Sequence, residues 1–355
     1  MKKLFIMILF FSCLFSCLLL PLDSFSGENK FEMKLIKSIG DNTDEYIFFK
    51  ITSALITPDK EIFVGDSGGH FIAKYNWEGK FIKRVGQPGQ GPGDFNVIFD
   101  LNYLDKKIYA YDGDSLRITV LNTDLEPIKF IRLSQPVLGD IFITRDEKIL
   151  CCGVVAGDSA QYGTERIKLL NSDGKLIKSF FSQTQFGELK PQKDLLQWAV
   201  NQWTARLITG YSSDKSEIII SFEYPVNPVK FFVYNLEGQL SKTFSYNADK
   251  KYIFPDFLKS FPLKYPAKKV YYLILSSLFI YKDYYLAFIN YWLADNGPGG
   301  IEKSTYLIFD QQGNLLAEKE IEQPFKFFYL TGDGYLIGTN PDAEIPKVFI
   351  YQLLF

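Results

Sequence analysis

Short runs of alternating apolar and polar residues, separated by polar turns, fill most of the chain. One eight-residue pattern recurs among them: an apolar residue, Asn or Asp, two variable residues, Gly, a polar residue and two mostly apolar residues. Alternation with a period of two predicts strands, and the glycine suits the positive φ that a tight hairpin turn requires. The pattern begins at five positions, and the second copy lacks the glycine: Tyr75, Leu121, Leu170, Tyr234 and Phe309.

A second kind of strand precedes each of these turns and also occurs once more near the end of the chain. Its six copies begin at Glu61, Lys107, Lys148, Glu217, Tyr284 and Gly334. The termini explain why six strands accompany five turns. The segment Lys34–Gly40 repeats the outer-strand string Lys80–Gly86, whereas the chain stops where a last outer strand is due. We therefore predict an all-β fold, a six-bladed β-propeller whose last blade is closed by the N-terminal strand, because closure protects the sheet edges.

The segment Gly86–Phe95 joins the first two repeats and contains four glycines and two prolines, which cannot continue a ladder. A glycine-rich loop can also cradle a phosphate. No Gly-Lys-Ser/Thr and no helix signal follow this one, so we interpret it as a turn between blades. This joint, together with Ile62–Asp66 and Ile108–Asp112, resembles NHL-type six-bladed β-propellers. The chain as a whole resembles exported bacterial six-bladed propeller proteins, although the joint and the aspartate recur only in the first two blades.

The first 26 residues differ in composition from the remainder. A basic start precedes an almost unbroken apolar run over residues 4–22, and Ser24–Ser26 supplies the small residues of a cleavage site. Residues 1–26 therefore predict an export signal peptide. The string Leu14–Cys17 also resembles a lipobox, which would end a lipoprotein signal at residue 16 and leave Cys17 lipidated as a membrane tether. Both alternatives remain open, and both place the mature protein in the periplasm, at the outer membrane or in the medium.

We assign residues 27–355 to the propeller, with two inserts. Residues 183–203 predict a short helix between the third and fourth blades, and residues 247–272 combine lysines with aromatic residues. Such a stretch is typical of a solvated loop, but it is also compatible with a contact surface. The aromatic residues that we single out as candidate partner contacts in the two inserts are Trp198, Tyr252, Phe254, Phe257 and Phe261.

Composition narrows the classes of function. The formal net charge is −2, which argues against nucleic acid as a partner, and 33 Phe and 22 Tyr suit strands that pack face to face. Cys151 and Cys152 are adjacent in a predicted strand, where we expect two buried free thiols and no strained disulfide. Without a disulfide framework, a hydrophobic core must stabilise the fold.

Catalytic motifs are scarce. His70 is the only histidine, so a Ser-His-Asp triad or a multi-histidine zinc site has little to build on. Asp66 and Asp112 occupy equivalent repeat positions, which favours a role in Asx-type turns. We expect no organic cofactor. The resemblance implies one possible ion, a divalent cation at the central channel, for which Asp100, Asp140 and Asn290 are candidates by position.

These observations leave two hypotheses of function. The favoured one is a non-catalytic recognition or scaffolding propeller, expected to be a monomer, that binds a protein, peptide or glycan outside the cytoplasm. The alternative, implied by the resemblance, is a metal-dependent lactonase-type hydrolase with its site at the central channel. Carboxylates that converge in the channel would favour the hydrolase, and an exposed aromatic patch would favour recognition.

Overall fold

The computed structural model describes residues 31–40, 47–137, 139–153, 165–182, 206–212, 216–223, 225, 228–249, 270–294, 300–321, 325–340 and 343–355. One compact unit comprises Met33–Leu353. The other comprises residues 1–32 and 354–355, in which the rings of Phe31 and Phe355 meet edge to face with centroids 5.3 Å apart. Among the sequence predictions, the helix in 183–203, the signal peptide and most of the insert 247–272 lie outside the described residues.

The described residues form 24 strands in six four-stranded sheets, and they contain no helix. The prediction of an all-β six-bladed propeller is therefore confirmed. The strands are β1 (Glu32–Ile39), β2 (Ile51–Ile56), β3 (Ile62–Asp66), β4 (Phe71–Tyr75), β5 (Phe81–Val85), β6 (Ile98–Leu104), β7 (Lys107–Asp112), β8 (Arg117–Asn122), β9 (Pro127–Arg132), β10 (Ile141–Ile143), β11 (Ile149–Cys152), β12 (Glu165–Leu170), β13 (Leu176–Ser182), β14 (Leu207–Tyr211), β15 (Glu217–Phe222), β16 (Val229–Asn235), β17 (Leu240–Tyr246), β18 (Val270–Tyr281), β19 (Tyr284–Ala294), β20 (Gly300–Asp310), β21 (Leu315–Ile321), β22 (Lys326–Leu330), β23 (Tyr335–Thr339) and β24 (Val348–Leu354).

Each blade is a meander that starts at the central channel and ends at the rim. Blades one to five are β2–β5, β6–β9, β10–β13, β14–β17 and β18–β21, and blade six has the order β22, β23, β24, β1. The N-terminal strand is thus the outermost strand of the last blade, as predicted. Burial follows this radial order: nearly every residue of β2 is buried, whereas β5 at the rim has no fully buried residue.

Blades six and one are joined by a cluster of lysines and aromatic rings. Lys37 on β1 donates to the carbonyl of Trp77 and lies 4.0 Å from the centre of its ring. Lys60 pairs with Asp333 and lies 4.0 Å from the ring of Tyr335, whose ring meets that of Trp77 at 5.0 Å. Cation–π contacts and an ion pair therefore reinforce the closure of the ring.

The predicted hairpin turns form as the pattern indicates. In the first, the side-chain oxygen of Asn76 accepts the N–H of Lys80 at 2.8 Å, and Gly79 has φ of 87°. In the copy without glycine, Leu125 takes the same left-handed conformation with φ of 60°. The Leu125 side chain is 2% exposed and packs in the core between blades one and two. Burial of an apolar side chain there offsets the strain of a non-glycine residue at positive φ.

The glycine-rich joint Gly86–Phe95 is a turn between blades one and two. The guanidinium group of Arg117 donates to the carbonyls of Gln90 at 2.7 Å and Asp94 at 2.5 Å, and Phe95 is fully buried between the two blades. The loop thus turns carbonyl oxygens toward a cation of its own chain. This is the opposite of a phosphate cradle, in which N–H groups converge.

We expect Gly86→Ala to lower the free energy of unfolding by about 2 kcal/mol or more, because Gly86 has φ of 124° and an added Cβ would lie 2.4 Å from the carbonyl oxygen of His70. Urea denaturation measures the change. Gly332→Ala is the matched control, since an added Cβ there meets nothing within 4 Å. Equal stability of the two variants would contradict the close approach at the joint.

Asp66 and Asp112 close turns with fully buried carboxylates, as their repeat positions indicate. Asp66 accepts four backbone N–H groups, from Phe49, Lys50, Gly68 and Gly69, at 2.7 to 3.0 Å. Asp112 accepts those of Asn96, Val97 and Ser115 and the Ser115 hydroxyl. Each carboxylate therefore fastens the entry to its own inner strand and is occupied by structural hydrogen bonds.

We expect Asp66→Ala to destabilise the protein by about 4 kcal/mol, because four backbone N–H groups lose their hydrogen bonds to a fully buried carboxylate and each such bond to a charged group contributes about 1 kcal/mol or more. Thermal or urea unfolding reports the loss. Asp59→Ala, at an exposed aspartate of a nearby turn, is the control and should change stability by less than about 0.5 kcal/mol. A similar small effect of Asp66→Ala would refute this role.

Candidate functional site

The inner strands of all six blades enclose a cavity of about 140 Å³ at the centre of the ring. Polar residues and aromatic rings line it together. Its wall includes Thr52, Phe99, Asp100, Asp140, Phe142, Thr209, Tyr211, Ser276, Phe279, Lys326, Phe327 and Tyr329. A concave site with a few convergent polar groups among apolar side chains is typical of ligand binding, so this cavity is the candidate functional site.

The wall is held together by side chains that reach from one inner strand to the next. The hydroxyl of Ser53 on β2 accepts the N–H of Leu101 on β6 at 3.0 Å and donates to Asp100 at 3.1 Å. Asp100 in turn accepts the N–H of Ile141 at 3.0 Å. In blade five, Ser277 accepts the N–H of Phe327 on β22 at 2.9 Å.

The same position of the inner strand supplies these linking side chains in several blades. The pairing register of the inner strand shifts just before Ser53, Asp100 and Ser277, where a β-bulge interrupts the ladder. A bulge re-aims the side chain that follows it. At these three positions the side chain points toward the neighbouring blade and forms a hydrogen bond with its backbone. This bond takes the place of strand pairing, because neighbouring inner strands diverge and do not pair directly.

Asp140 organises the wall between blades three and four. Its carboxylate accepts the hydroxyl of Thr209 on β14 at 2.8 Å. The Tyr211 hydroxyl lies 3.3 Å from that of Thr209 and 3.9 Å from the sulfur of Cys152. The ring of Tyr211 stacks on Phe142 with centroids 3.5 Å apart and planes 9° apart. Cys151 and Cys152 are both free and buried, as predicted, and burial raises the pKa of each thiol.

Two carboxylates share this poorly solvated space, and their charges interact. Burial, reinforced by the neighbouring Asp140, raises the pKa of Asp100 to about 7. Burial also raises the pKa of Glu223, although Arg206 at 3.0 Å opposes the shift. Two carboxyl groups, Asp100 and Asp140, and one ammonium group, Lys326, therefore contribute charge to the cavity wall, and the Asp100 carboxyl keeps its proton up to about pH 7.

The described residues do not suit the divalent cation that the resemblance implies. They contain no group of three or more His, Cys, Asp or Glu side chains placed to ligate one ion. Both oxygens of Asp100 already accept hydrogen bonds, from Ser53 and Leu101 on one and from Ile141 and Asn102 on the other. A hard cation would have to displace these donors to reach its ligands.

The structure brings together two of the three channel residues that the sequence suggests. Asp100 and Asp140 both line the cavity. Asn290 does not line it: it lies on β19, the second strand of its blade, and accepts the hydroxyl of Ser304 at 2.6 Å. His70 lies in the loop before β4, and its Nδ1 is 2.6 Å from the carbonyl oxygen of Asn96. That contact joins blade one to the joint and is structural.

Sequence reasoning missed Thr209, Tyr211, Phe142 and Lys326, although all four line the cavity. Polar residues inside otherwise apolar inner strands, at equivalent positions of successive blades, could have identified these residues. The equivalent positions cannot be aligned from the sequence, because the connections before β14 and β18 differ in length from the others. The other predicted site residues, Cys17, Trp198, Tyr252, Phe254, Phe257 and Phe261, lie outside the described residues.

Comparison with known proteins supports the fold. No protein-family model and no curated protein matches the sequence. The chain is similar to a crystal structure of a DUF4221 family member from Bacteroides vulgatus, with 10% identity over 92% of this chain and 98% of that chain and a TM-score of 0.55. It is also similar to a Bacteroides fragilis protein described as exported, with 11% identity over 91% and 95% and a TM-score of 0.57. Identities this low establish a shared fold.

We expect the stability of the protein to fall as pH rises from about 4 to about 7 and then to level off. The native state keeps a proton on Asp100 in this interval, whereas the unfolded chain releases it near pH 4. The substitution Asp140→Asn removes the charge that repels the Asp100 carboxylate, so we expect a lower pKa of Asp100. The loss of stability between pH 4 and pH 8 should then be smaller by about 1.4 kcal/mol for each unit by which that pKa falls. Urea unfolding between pH 5 and pH 8 measures both slopes.

The Asp140→Asn substitution leaves an amide oxygen that can accept the Thr209 hydroxyl, so it removes charge and preserves the hydrogen bond. The matched control is Asp173→Asn, at an exposed turn position. The control should reproduce the wild-type slope. A slope in Asp140→Asn that equals that of the control would show that the two channel carboxylates do not interact.

Proposed function

We propose that the protein is a non-catalytic recognition propeller that acts outside the cytoplasm and binds a protein or peptide, with the central cavity receiving one group of that ligand. One observation carries this proposal. The cavity wall combines the Asp100 and Asp140 carboxylates with the stacked rings of Phe142 and Tyr211, and the linking hydrogen bonds of the ring hold these groups in place. Preorganised polar and aromatic groups favour binding.

The size of the cavity limits what enters. At about 140 Å³ it is close to the roughly 150 Å³ of an engineered cavity that holds one benzene molecule. One side chain or one chain end fits, and the remainder of a macromolecular ligand stays outside the channel. The larger part of the contact surface would then come from the loops around the channel mouth.

Charge favours an amine over a sugar. Burial and, second, the charge of Asp140 raise the pKa of Asp100, and an incoming ammonium group would stabilise the ionised form of both carboxylates. Aromatic rings at the wall add cation–π attraction. A lysine side chain or an N-terminal amine therefore fits better than an uncharged glycan. Export follows from the signal-like residues 1–26, not from the geometry of the channel.

The hydrolase hypothesis is the weaker one for this geometry. A channel hydrolase of the lactonase type needs a metal to polarise its substrate, and that metal needs ligands free to bind it. The Asp100 carboxylate is occupied by four donors that connect three blades. Its role in the ring therefore competes with any role as a metal ligand.

The probe for the recognition proposal is N-acetyl-lysine N-methylamide, compared with the same compound acetylated at Nε. We expect the charged probe to bind, to perturb the resonances of Tyr211 in NMR titration and to bind Asp140→Asn about tenfold more weakly, since one charge contact is lost. The acetylated probe should not bind. Asp173→Asn, the surface control, should bind both probes like the wild type.

Three results would overturn the proposal. Equal binding of both probes, or preferential binding of a neutral oligosaccharide, would show that charge does not select the ligand. A stoichiometric divalent ion in the purified protein, with a melting temperature that falls on chelation, would support the metal-dependent hydrolase instead.

A further inference from the structure

The outer strands of blades six, one and two share a chemistry that the channel does not explain. Each carries exposed apolar side chains on the rim of the propeller: Leu35 and Ile36 on β1, Ile82 on β5, and Ile128 and Phe130 on β9, which are 39% to 54% exposed. Basic residues stand beside them: Lys34, Lys83, Arg84, Lys129 and Arg132. We call these residues the basic rim.

Two explanations of this pattern can be separated by the sign of the charge. Charged side chains on an edge strand prevent sheets from pairing edge to edge, and either sign serves that purpose. Blade five carries the same exposed apolar pair, Leu315 and Leu316, with Glu318 and Glu320 beside it on β21. Positive charge is therefore not required of an outer strand. Strands β5 and β9 each carry two cations, whereas β13 and β17 each carry one. The need to prevent edge pairing does not explain this difference in positive charge.

We propose that the basic rim lies against an anionic phospholipid bilayer, with Lys and Arg at the headgroups and the exposed apolar side chains inserted shallowly between them. Exposed apolar residues interleaved with cations are the composition of surfaces that bind at a membrane interface. Long basic side chains keep their charge in the headgroup layer while their methylene stems and apolar neighbours sit deeper. Each cation near an anionic surface adds to the attraction.

The order of the chain supports this partner. Strand β1 follows directly from the segment that contains the apolar run 4–22 and the lipobox-like cysteine at position 17. Fourteen residues separate that cysteine from Glu32, a span of at most about 50 Å when extended. A lipidated Cys17 with a tether of this length would hold the propeller within reach of a membrane. The strand to which it leads belongs to the basic rim.

Strand β5 is the centre of the contact, because the rim of a ring is convex and a flat bilayer meets few blades at once. On β5, Ile82 is 48% exposed and Lys83 follows it. On β9, Ile128 and Lys129 form the equivalent pair at the margin. Lys37 on β1 is engaged with Trp77 at the closure of the ring, so it is not part of the contact.

The test is co-sedimentation of a chain from Gly27 to Phe355, without lipid, with vesicles of stated composition. We expect binding to phosphatidylglycerol–phosphatidylcholine vesicles, none to pure phosphatidylcholine, and a loss of binding as salt concentration rises. Ile82→Ser/Lys83→Glu and, separately, Ile128→Ser/Lys129→Glu should each weaken binding about tenfold. The matched control, Leu315→Ser/Lys319→Glu on the acidic rim of blade five, should bind like the wild type.

Three outcomes would overturn the inference. Absence of binding to phosphatidylglycerol vesicles would do so directly, and so would equal weakening by the control variant. A concentration-dependent dimer of the wild type that the two rim variants abolish, measured by analytical ultracentrifugation, would assign the rim to a second copy of this chain. Circular dichroism melts of each variant confirm that folding is intact. None of these results bears on the lysine probe at the channel, because the two sites share no residue.

Discussion

Neighbouring blades of this propeller meet at the channel through side chains that substitute for backbone pairing. The inner strand is the first strand of its blade and is paired on one side only. Because the blades diverge from the channel, its other edge cannot pair with the next sheet. Ser53, Asp100 and Ser277 meet this constraint in the same way: each follows a bulge and accepts an N–H from the next blade. The ring depends on these contacts, and the dimensions of the cavity follow from them.

This constraint ties the chemistry of the channel to the stability of the ring. A serine suffices at the linking position in blades one and five, whereas blade two uses Asp100, whose two oxygens receive donors from three blades. The carboxylate then faces Asp140 in a poorly solvated space, which raises the pKa of Asp100. The Asp100 carboxylate, which the fold retains because it links the blades, is thus also a group that a cationic ligand could neutralise. Binding of such a ligand in the channel would also stabilise the ring.

The outer strands at the rim are not constrained by contacts with a neighbouring blade in this way. Outer strands have an unpaired edge in water, and side chains at that edge are free to vary as long as charge discourages pairing between sheets. The chain uses this freedom unevenly, with two cations on each of β5 and β9, one on each of β13 and β17, and two carboxylates on β21. The channel, with its two carboxylates, and the rim, with its cations on β5 and β9, are therefore separate surfaces that share no residue.

The blade count and the closure by the N-terminal strand were predictable from sequence alone, because period-two alternation, Asn-x-x-Gly turns and matched terminal strands are local signals. The Asx-type roles of Asp66 and Asp112 followed from repeat position in the same way. The candidate site was only partly predictable. Asp100 and Asp140, and Phe142 and Tyr211, are distant in sequence and come together only when neighbouring blades pack around the channel. Asn290 was misplaced because strand order within a blade, not residue type, decides which side chains reach the channel.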